Sequence, residues 1–214
     1  MTEAEWLAAA NPEPLLEFLQ AGATARKLRL FAAAAFDRLK DLLPHTKQHG
    51  GIRILEKMAE GKSYLRARRG ARKYVLMDWR GNAPTGDPLI DDPDHVALML
   101  YRAIVSTNAA GHAETASRSI RESERRRAEQ CELLRDIFGN PFRPVAFDPR
   151  WRSADAVGLA RGIYDERAFE RLPLLTDALM DAGCADDQVL SHCRSEGPHV
   201  RGCWVVDLIL SKDR

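Results

Sequence analysis

The stretch that decides the fold class is TARKLRLFAAAAFDRLKDLL, which occupies residues 24–43. Its apolar side chains recur at steps of three and four, and this period places them along one face of an α-helix. They are Leu28, Phe31, Ala32, Ala35, Phe36, Leu39, Leu42 and Leu43. Thr24 can cap the helix with its hydroxyl oxygen, and Pro44 ends it because proline disrupts a helix. The stretch therefore predicts an amphipathic helix that buries one face.

Similar start and stop signals continue toward both ends of the chain. Thr2 and Glu5 form a capping box at the start of a helix. Asn11 and Pro12 begin a second helix, because the asparagine accepts hydrogen bonds from free amides and the proline loses none there. Further helices are predicted at 52–60, from residue 93, at 113–138, and at 154–162, 166–171, 173–182, 186–194 and 199–211.

No segment alternates polar and apolar residues over several strands, so a sizeable sheet is not expected. We predict an all-α fold, with about ten mostly short helices in a compact bundle or a stacked array. The densest loop signal is GNAPTGDPLIDDPD at 81–94. The chain is expected to form one helical unit over 1–214, or two parts, 1–80 and 93–214, joined by the loop 81–92.

The composition is typical of a globular protein in a reducing compartment. Hydrophobic residues make up 45% and charged residues 29% of the 214 residues, which argues against disorder. The formal charge of +1 gives no global attraction to nucleic acid or to an anionic membrane. The start MTEAEWL lacks the positive charge of a secretory signal, and the four cysteines then indicate free thiols. We therefore predict a cytoplasmic protein without a membrane partner.

Several short sequence motifs near the two ends of the chain occur in a distinctive order. MTEAEWL, LLEFLQ and RKLRLF are followed much later by LLRDIFGNPFRPVAFDPRW, IYDERAFERLPLLTDALMDAGC and HCRSEGPHVRGCWVVDLIL. Over 1–31 and 131–211 the chain resembles a family of uncharacterised proteins that is abundant in planctomycete genomes. The middle, at about 44–130, carries no such resemblance. The resemblance implies membership of a group and brings no activity, cofactor or ligand set with it.

One candidate site lies near the C-terminus, where cysteines and histidines are concentrated. Zinc prefers four nitrogen or sulfur donors in a tetrahedron, and the predicted ligand set is Cys184, His192, His199 and Cys203. The spacing is not that of a zinc finger, and Cys203 falls inside the predicted helix 199–211. The alternative is that the cysteines are small buried residues of a helical hairpin and the histidines bond around the turn.

A second candidate is a basic segment at 64–80. Its cations could contact phosphates while its aromatic rings stack on bases, which is typical of nucleic-acid binding. The cations are Arg66, Arg68, Arg69, Arg72, Lys73 and Arg80. The alternative is a solvated helix face whose arginine stems cover apolar surface.

A third candidate is the connector NPFRPVAFDPRW at 140–151, whose prolines fix the backbone while its aromatic rings dock on helices. Phe142, Arg143 and Trp151 could line a groove for a protein partner, or serve in packing alone. Arg143 is expected to pair with a carboxylate such as Asp148 or Asp165.

Sequence patterns for catalysis are missing, since the chain contains no GxSxG, no HExxH, no glycine-rich GxxxxGK[ST] phosphate loop and no dinucleotide fingerprint. This favours a protein that is not an enzyme and needs no cofactor, apart from the zinc considered above. Three hypotheses follow. The favoured one is a non-catalytic interaction or adaptor module with a protein partner. The others are a nucleic-acid-binding protein that uses 64–80, and a zinc-binding protein that uses the C-terminal cysteines and histidines.

Overall fold

The computed structural model describes residues 1–19, 22–38, 56–57, 59–60 and 116–212. Across these residues the chain is helical and contains no strand, so the predicted all-α class is confirmed. The helices are α1 (Glu3–Ala8), α2 (Pro12–Leu19), α3 (Ala25–Asp37), α4 (Ala116–Phe138), α5 (Ala154–Glu166), α6 (Leu172–Asp181), α7 (Asp187–Arg194) and α8 (Trp204–Leu210), with short 3-10 turns at Pro149–Trp151 and Phe169–Arg171. No helix in this part has both the length and the apolar composition needed to cross a bilayer.

The first helices begin where the capping signals predict. The Thr2 amide donates to the Glu5 carboxylate over 2.7 Å, and the Glu5 amide donates to the Thr2 hydroxyl over 3.3 Å. α2 begins at Pro12. At the start of α3, the Lys27 amide donates to the Thr24 hydroxyl over 3.4 Å. The predicted continuation of this helix to residue 43 lies outside the described residues, as does most of the predicted helix 52–60.

The chain forms two compact units. Unit 1 combines Met1–Leu15 with Cys131–Arg214, and unit 2 comprises Leu16–Gln130. The loop 81–92, at which a division was predicted, lies outside the described residues. The helices α5 to α8 and Asp136 belong to unit 1.

The core of unit 1 is built from the short C-terminal helices. α5 packs on both α6 and α8, and α6 packs on α7. Each buried leucine or isoleucine stabilises this arrangement by roughly 1.5–3 kcal/mol relative to an exposed one. The fully buried members include Ile163, Leu172, Leu175, Leu179, Val206 and Ile209.

Within unit 1, α1 is held by polar contacts as well as by the buried indole of Trp6. The Arg135 guanidinium donates to the carbonyl oxygens of Trp6, at 3.1 Å, and of Ala9, at 2.6 Å. These carbonyls end the helix and carry partial negative charge, so a cation there is favourable. Arg143 adds an ion pair with Glu3 over 2.6 Å.

The last helix begins later than predicted. α8 starts at Trp204, not at residue 199, and residues 195–203 form an irregular connector after α7. Gly202 has a φ of 96°, which a right-handed helix does not accommodate. The prediction of a helix over 199–203 is therefore wrong. The irregular connector that replaces this helix brings the candidate ligands together.

Candidate metal centre

Four polar side chains of unit 1 converge on one point. Asp136, His192, His199 and Cys203 each offer one ligand atom, and these atoms all lie within 4.8 Å of one another. Asp136 lies in the last turns of α4 and His192 in the last turn of α7, whereas His199 lies on the connector and Cys203 immediately precedes α8. The site thus joins two helices that are far apart in sequence to the loop between α7 and α8.

The shortest contacts meet at one carboxylate oxygen and one imidazole nitrogen. Asp136 Oδ1 lies 2.8 Å from His199 Nδ1 and 3.1 Å from His192 Nε2. The same His192 Nε2 lies 3.2 Å from Cys203 Sγ. The group is shielded from solvent, since Cys203 is fully buried and the Asp136 and His199 side chains are 4% and 7% exposed.

Neighbouring groups hold these side chains in place. The Val200 amide donates to Asp136 Oδ2 over 2.9 Å, which leaves Oδ1 to face the histidines. The Ser195 hydroxyl donates to the His192 carbonyl over 2.7 Å, and the Ser195 carbonyl lies 3.0 Å from His199 Nε2. Such outer contacts orient imidazole rings in metal sites and select their tautomer.

Aromatic packing fixes the orientation of His192. The Trp204 ring lies 5.2 Å from the His192 ring, measured between centroids. Gly139, which ends α4 with a φ of 68°, lies against the same indole. A Cβ atom there would come within 3.2 Å of the Trp204 ring. The glycine therefore serves both the turn after α4 and the close approach of the indole.

The hydrogen-bond partners of His199 require a proton or a metal ion between its Nδ1 atom and the Asp136 carboxylate. A backbone carbonyl only accepts hydrogen bonds, so the Nε2 atom that faces Ser195 must carry a proton. In a neutral ring Nδ1 then has a bare lone pair, and this pair would face the Asp136 carboxylate at 2.8 Å. The contact is favourable only if Nδ1 is also protonated or if a metal ion binds both atoms.

The pKa shifts follow from burial and from this pairing. Burial alone would raise the pKa of Asp136, but the hydrogen bonds from His192 and His199 outweigh it and hold that pKa below its ordinary value. Burial alone would lower the pKa of His199, and the bond to Asp136 outweighs it and raises the pKa. Burial raises the pKa of the Cys203 thiol well above its ordinary value, and the Asp136 charge adds to this effect.

The donor set fits zinc better than it fits a catalytic relay. Zinc bonds of about 2.0–2.3 Å in a tetrahedron separate the ligand atoms by roughly 3.3–3.8 Å. The atoms here are 2.8 to 4.8 Å apart, which brackets that spacing. In a cysteine–histidine–aspartate relay the thiol and the carboxylate contact opposite nitrogens of one ring. Here both contact His192 Nε2, and the thiol is buried and protonated.

Three of the four predicted zinc ligands belong to this group, and Cys184 does not. Cys184 follows α6, where its amide bonds the Leu179 carbonyl over 2.9 Å, and its side chain lies in the core of unit 1. Asp136 occupies the fourth position. Sequence reasoning missed it, because the one local signal, an acidic residue between the buried Leu134 and Ile137, is too weak to single out this aspartate.

The basic segment with Arg66, Arg68, Arg69, Arg72, Lys73 and Arg80 lies outside the described residues.

In the connector 140–151, Trp151 is buried in the core, whereas Phe142 is half-buried and Arg143 exposed. The carboxylate beside Arg143 is Glu3, and Asp148 bonds Arg150 instead. A partner groove at this connector stays a prediction.

No family model, no curated protein and no solved structure matches the chain. The resemblance to the planctomycete family therefore stays a prediction that rests on the words quoted above.

Proposed function

We propose that this protein is a zinc-binding helical module in which the metal has a structural role. The ligands are Asp136 Oδ1, His192 Nε2, His199 Nδ1 and Cys203 Sγ. The observation that carries the proposal is the convergence of these four atoms at a shielded point, with outer hydrogen bonds on the carboxylate and on one imidazole. Catalytic zinc keeps one position open for water or substrate, whereas structural zinc is closed by four protein ligands.

The bound ion would act as a cross-link within unit 1. It would tie α4 to α7 and fix the connector 195–203, which has few backbone bonds of its own. Zinc would also replace the protons that hold the site together, because the thiol must lose its proton and the Nδ1 atom of His199 and the Nε2 atom of His192 must each present a free lone pair to bind it. The free energy of metal binding would then add to the stability of this unit.

This proposal keeps the non-catalytic class that the sequence favours, in which the chain acts as an interaction or adaptor module. All four ligands lie in the stretches that resemble the planctomycete family. Relatives that keep these residues would therefore carry the same centre.

The decisive test compares two buried cysteines of the same unit. The purified full-length protein is expected to contain about one zinc ion per chain by elemental analysis. With Co²⁺ in place of zinc, we expect thiolate-to-cobalt absorption in the near ultraviolet. Cys203→Ala should abolish that absorption, whereas Cys184→Ala should keep it, because Cys184 is outside the group.

Circular dichroism checks that each variant is folded. The His192 side chain, at 16% exposed, is the more exposed of the two imidazoles. His192→Asn therefore provides a second ligand variant. A wild-type protein that neither retains zinc nor shows cobalt–thiolate absorption would refute the proposal. Loss of the absorption in Cys184→Ala but not in Cys203→Ala would refute the ligand set.

A further inference from the structure

We propose that Arg201 is a positioning residue for the metal centre, which it organises from outside the ligand group through the turn that carries Cys203. The inference rests on the proposed zinc function. Arg201 lies on the connector between two ligands, two residues after His199 and two before Cys203. It does not belong to the ligand group itself.

The Arg201 side chain is anchored on the end of α5. Its Nε atom donates to the Tyr164 carbonyl and its Nη2 atom to the Asp165 carbonyl, both over 3.2 Å. The guanidinium carbon also lies 5.0 Å from the centre of the Tyr164 ring. A planar cation that caps helix carbonyls and stacks on an aromatic ring has little freedom to rotate.

This anchor determines the orientation of a tight turn. The Cys203 amide donates to the Val200 carbonyl over 2.9 Å, which closes a four-residue turn with Arg201 and Gly202 at its centre. The φ of 96° at Gly202 is typical of the third residue of a type II turn.

Both ends of this turn reach the centre. At one end the Val200 amide bonds Asp136, and at the other Cys203 supplies the sulfur. A rotation of the turn would move the sulfur away from the carboxylate and the imidazoles. Arg201 therefore keeps the ligand atoms close together before the metal binds.

The chain offers a closely matched control in Arg152. Its guanidinium donates to the carbonyls of Leu208 and Ile209 over 2.9 and 3.0 Å and lies 4.3 Å from the centre of the Phe147 ring. It thus caps the end of α8 with the same chemistry with which Arg201 caps α5. Arg152 caps the end of α8 that lies away from Cys203, so its loss should weaken packing without turning the ligands.

The test measures zinc affinity by competition with a chromogenic chelator in the wild type, Arg201→Gln and Arg152→Gln. Loss of a residue that orients metal ligands typically weakens affinity by about 10–100-fold, which is the change expected for Arg201→Gln. Arg152→Gln should bind zinc as the wild type does. The visible cobalt bands report ligand geometry and should change in Arg201→Gln alone, with partial recovery in Arg201→Lys.

The outcomes separate this inference from the proposed function. One outcome is that the wild type binds zinc and that Arg201→Gln and Arg152→Gln either both keep their zinc affinity or lose it equally. The positioning role of Arg201 is then wrong, whereas the proposed metal site stands. If the wild type binds no zinc, both proposals fall. Weaker binding confined to Arg201→Gln, with altered cobalt bands, supports the inference.

Discussion

Replacing Asp136 by asparagine in the metal-free protein isolates the charge at the centre of the site. The substitution keeps the size of the side chain and one oxygen that can accept the Val200 amide. It removes the negative charge that faces His199 at 2.8 Å and His192 at 3.1 Å. The carboxylate oxygen that now faces two imidazoles is replaced by either the amide nitrogen, which is a donor, or the single amide oxygen, which is an acceptor.

The size of the loss follows from burial and depends on pH. Breaking a buried ion pair by removing one partner costs about 3–5 kcal/mol, because the other charge stays buried. The full cost is expected near pH 5.5, at which His199 is protonated. At pH 8 the imidazole of the variant can lose its proton, so that the cost falls toward that of one lost hydrogen bond to a charged group, about 1.5–3 kcal/mol.

Urea denaturation of chelator-treated protein measures this loss. With a slope near 2 kcal/mol per molar urea, a loss of 3–5 kcal/mol lowers the midpoint by about 1.5–2.5 M. The control is Asp148→Asn, in which a partly exposed carboxylate that caps a 3-10 turn is replaced by an equally good cap. Equal midpoints for Asp136→Asn and the wild type at pH 5.5 would refute the assignment of a buried, charged Asp136.

Two further predictions use the same urea assay. The stability that Asp136 gives the metal-free protein should be complete only between pH 3.8 and 6.5, the ordinary pKa values of Asp136 and His199. It is lost as the pH falls through the lowered pKa of Asp136 or rises through the raised pKa of His199, and an advantage over Asp136→Asn that grows from pH 5.5 to 8.5 would contradict this. Gly183→Ala should destabilise by about 1–2 kcal/mol because its φ is 82°. Its control Gly158→Ala, which places a methyl in open space within α5, should stabilise by about 0.5–1 kcal/mol.

Helix starts and ends were predictable because their signals are local. The Thr2–Glu5 capping box and the glycine after Phe138 act within one turn of the helix, so the sequence contains all their partners. Gly183 likewise ends α6, where the Cys184 amide reaches the Leu179 carbonyl over 2.9 Å. Such features need no knowledge of tertiary structure.

The candidate metal centre was predictable only in part, because its fourth potential ligand is distant in sequence. Asp136 lies 63 residues before His199, and aspartates are too common for a pattern to single one out. The sequence also placed Cys203 inside a helix over 199–211, whereas in the structure it lies on the connector immediately before α8. Pro198 and Gly202 were the signals of a later helix start.

The discontinuous assembly of unit 1 has a consequence for its synthesis. Trp6 is fully buried in the folded protein, and its carbonyl is bonded by Arg135, which is 129 residues further along the chain. At translation rates of about 5–20 residues per second, roughly 6–26 s separate the appearance of the two residues on the ribosome. During that interval the indole must remain solvated or be covered by a chaperone, which leaves the nascent N-terminal segment open to misassembly.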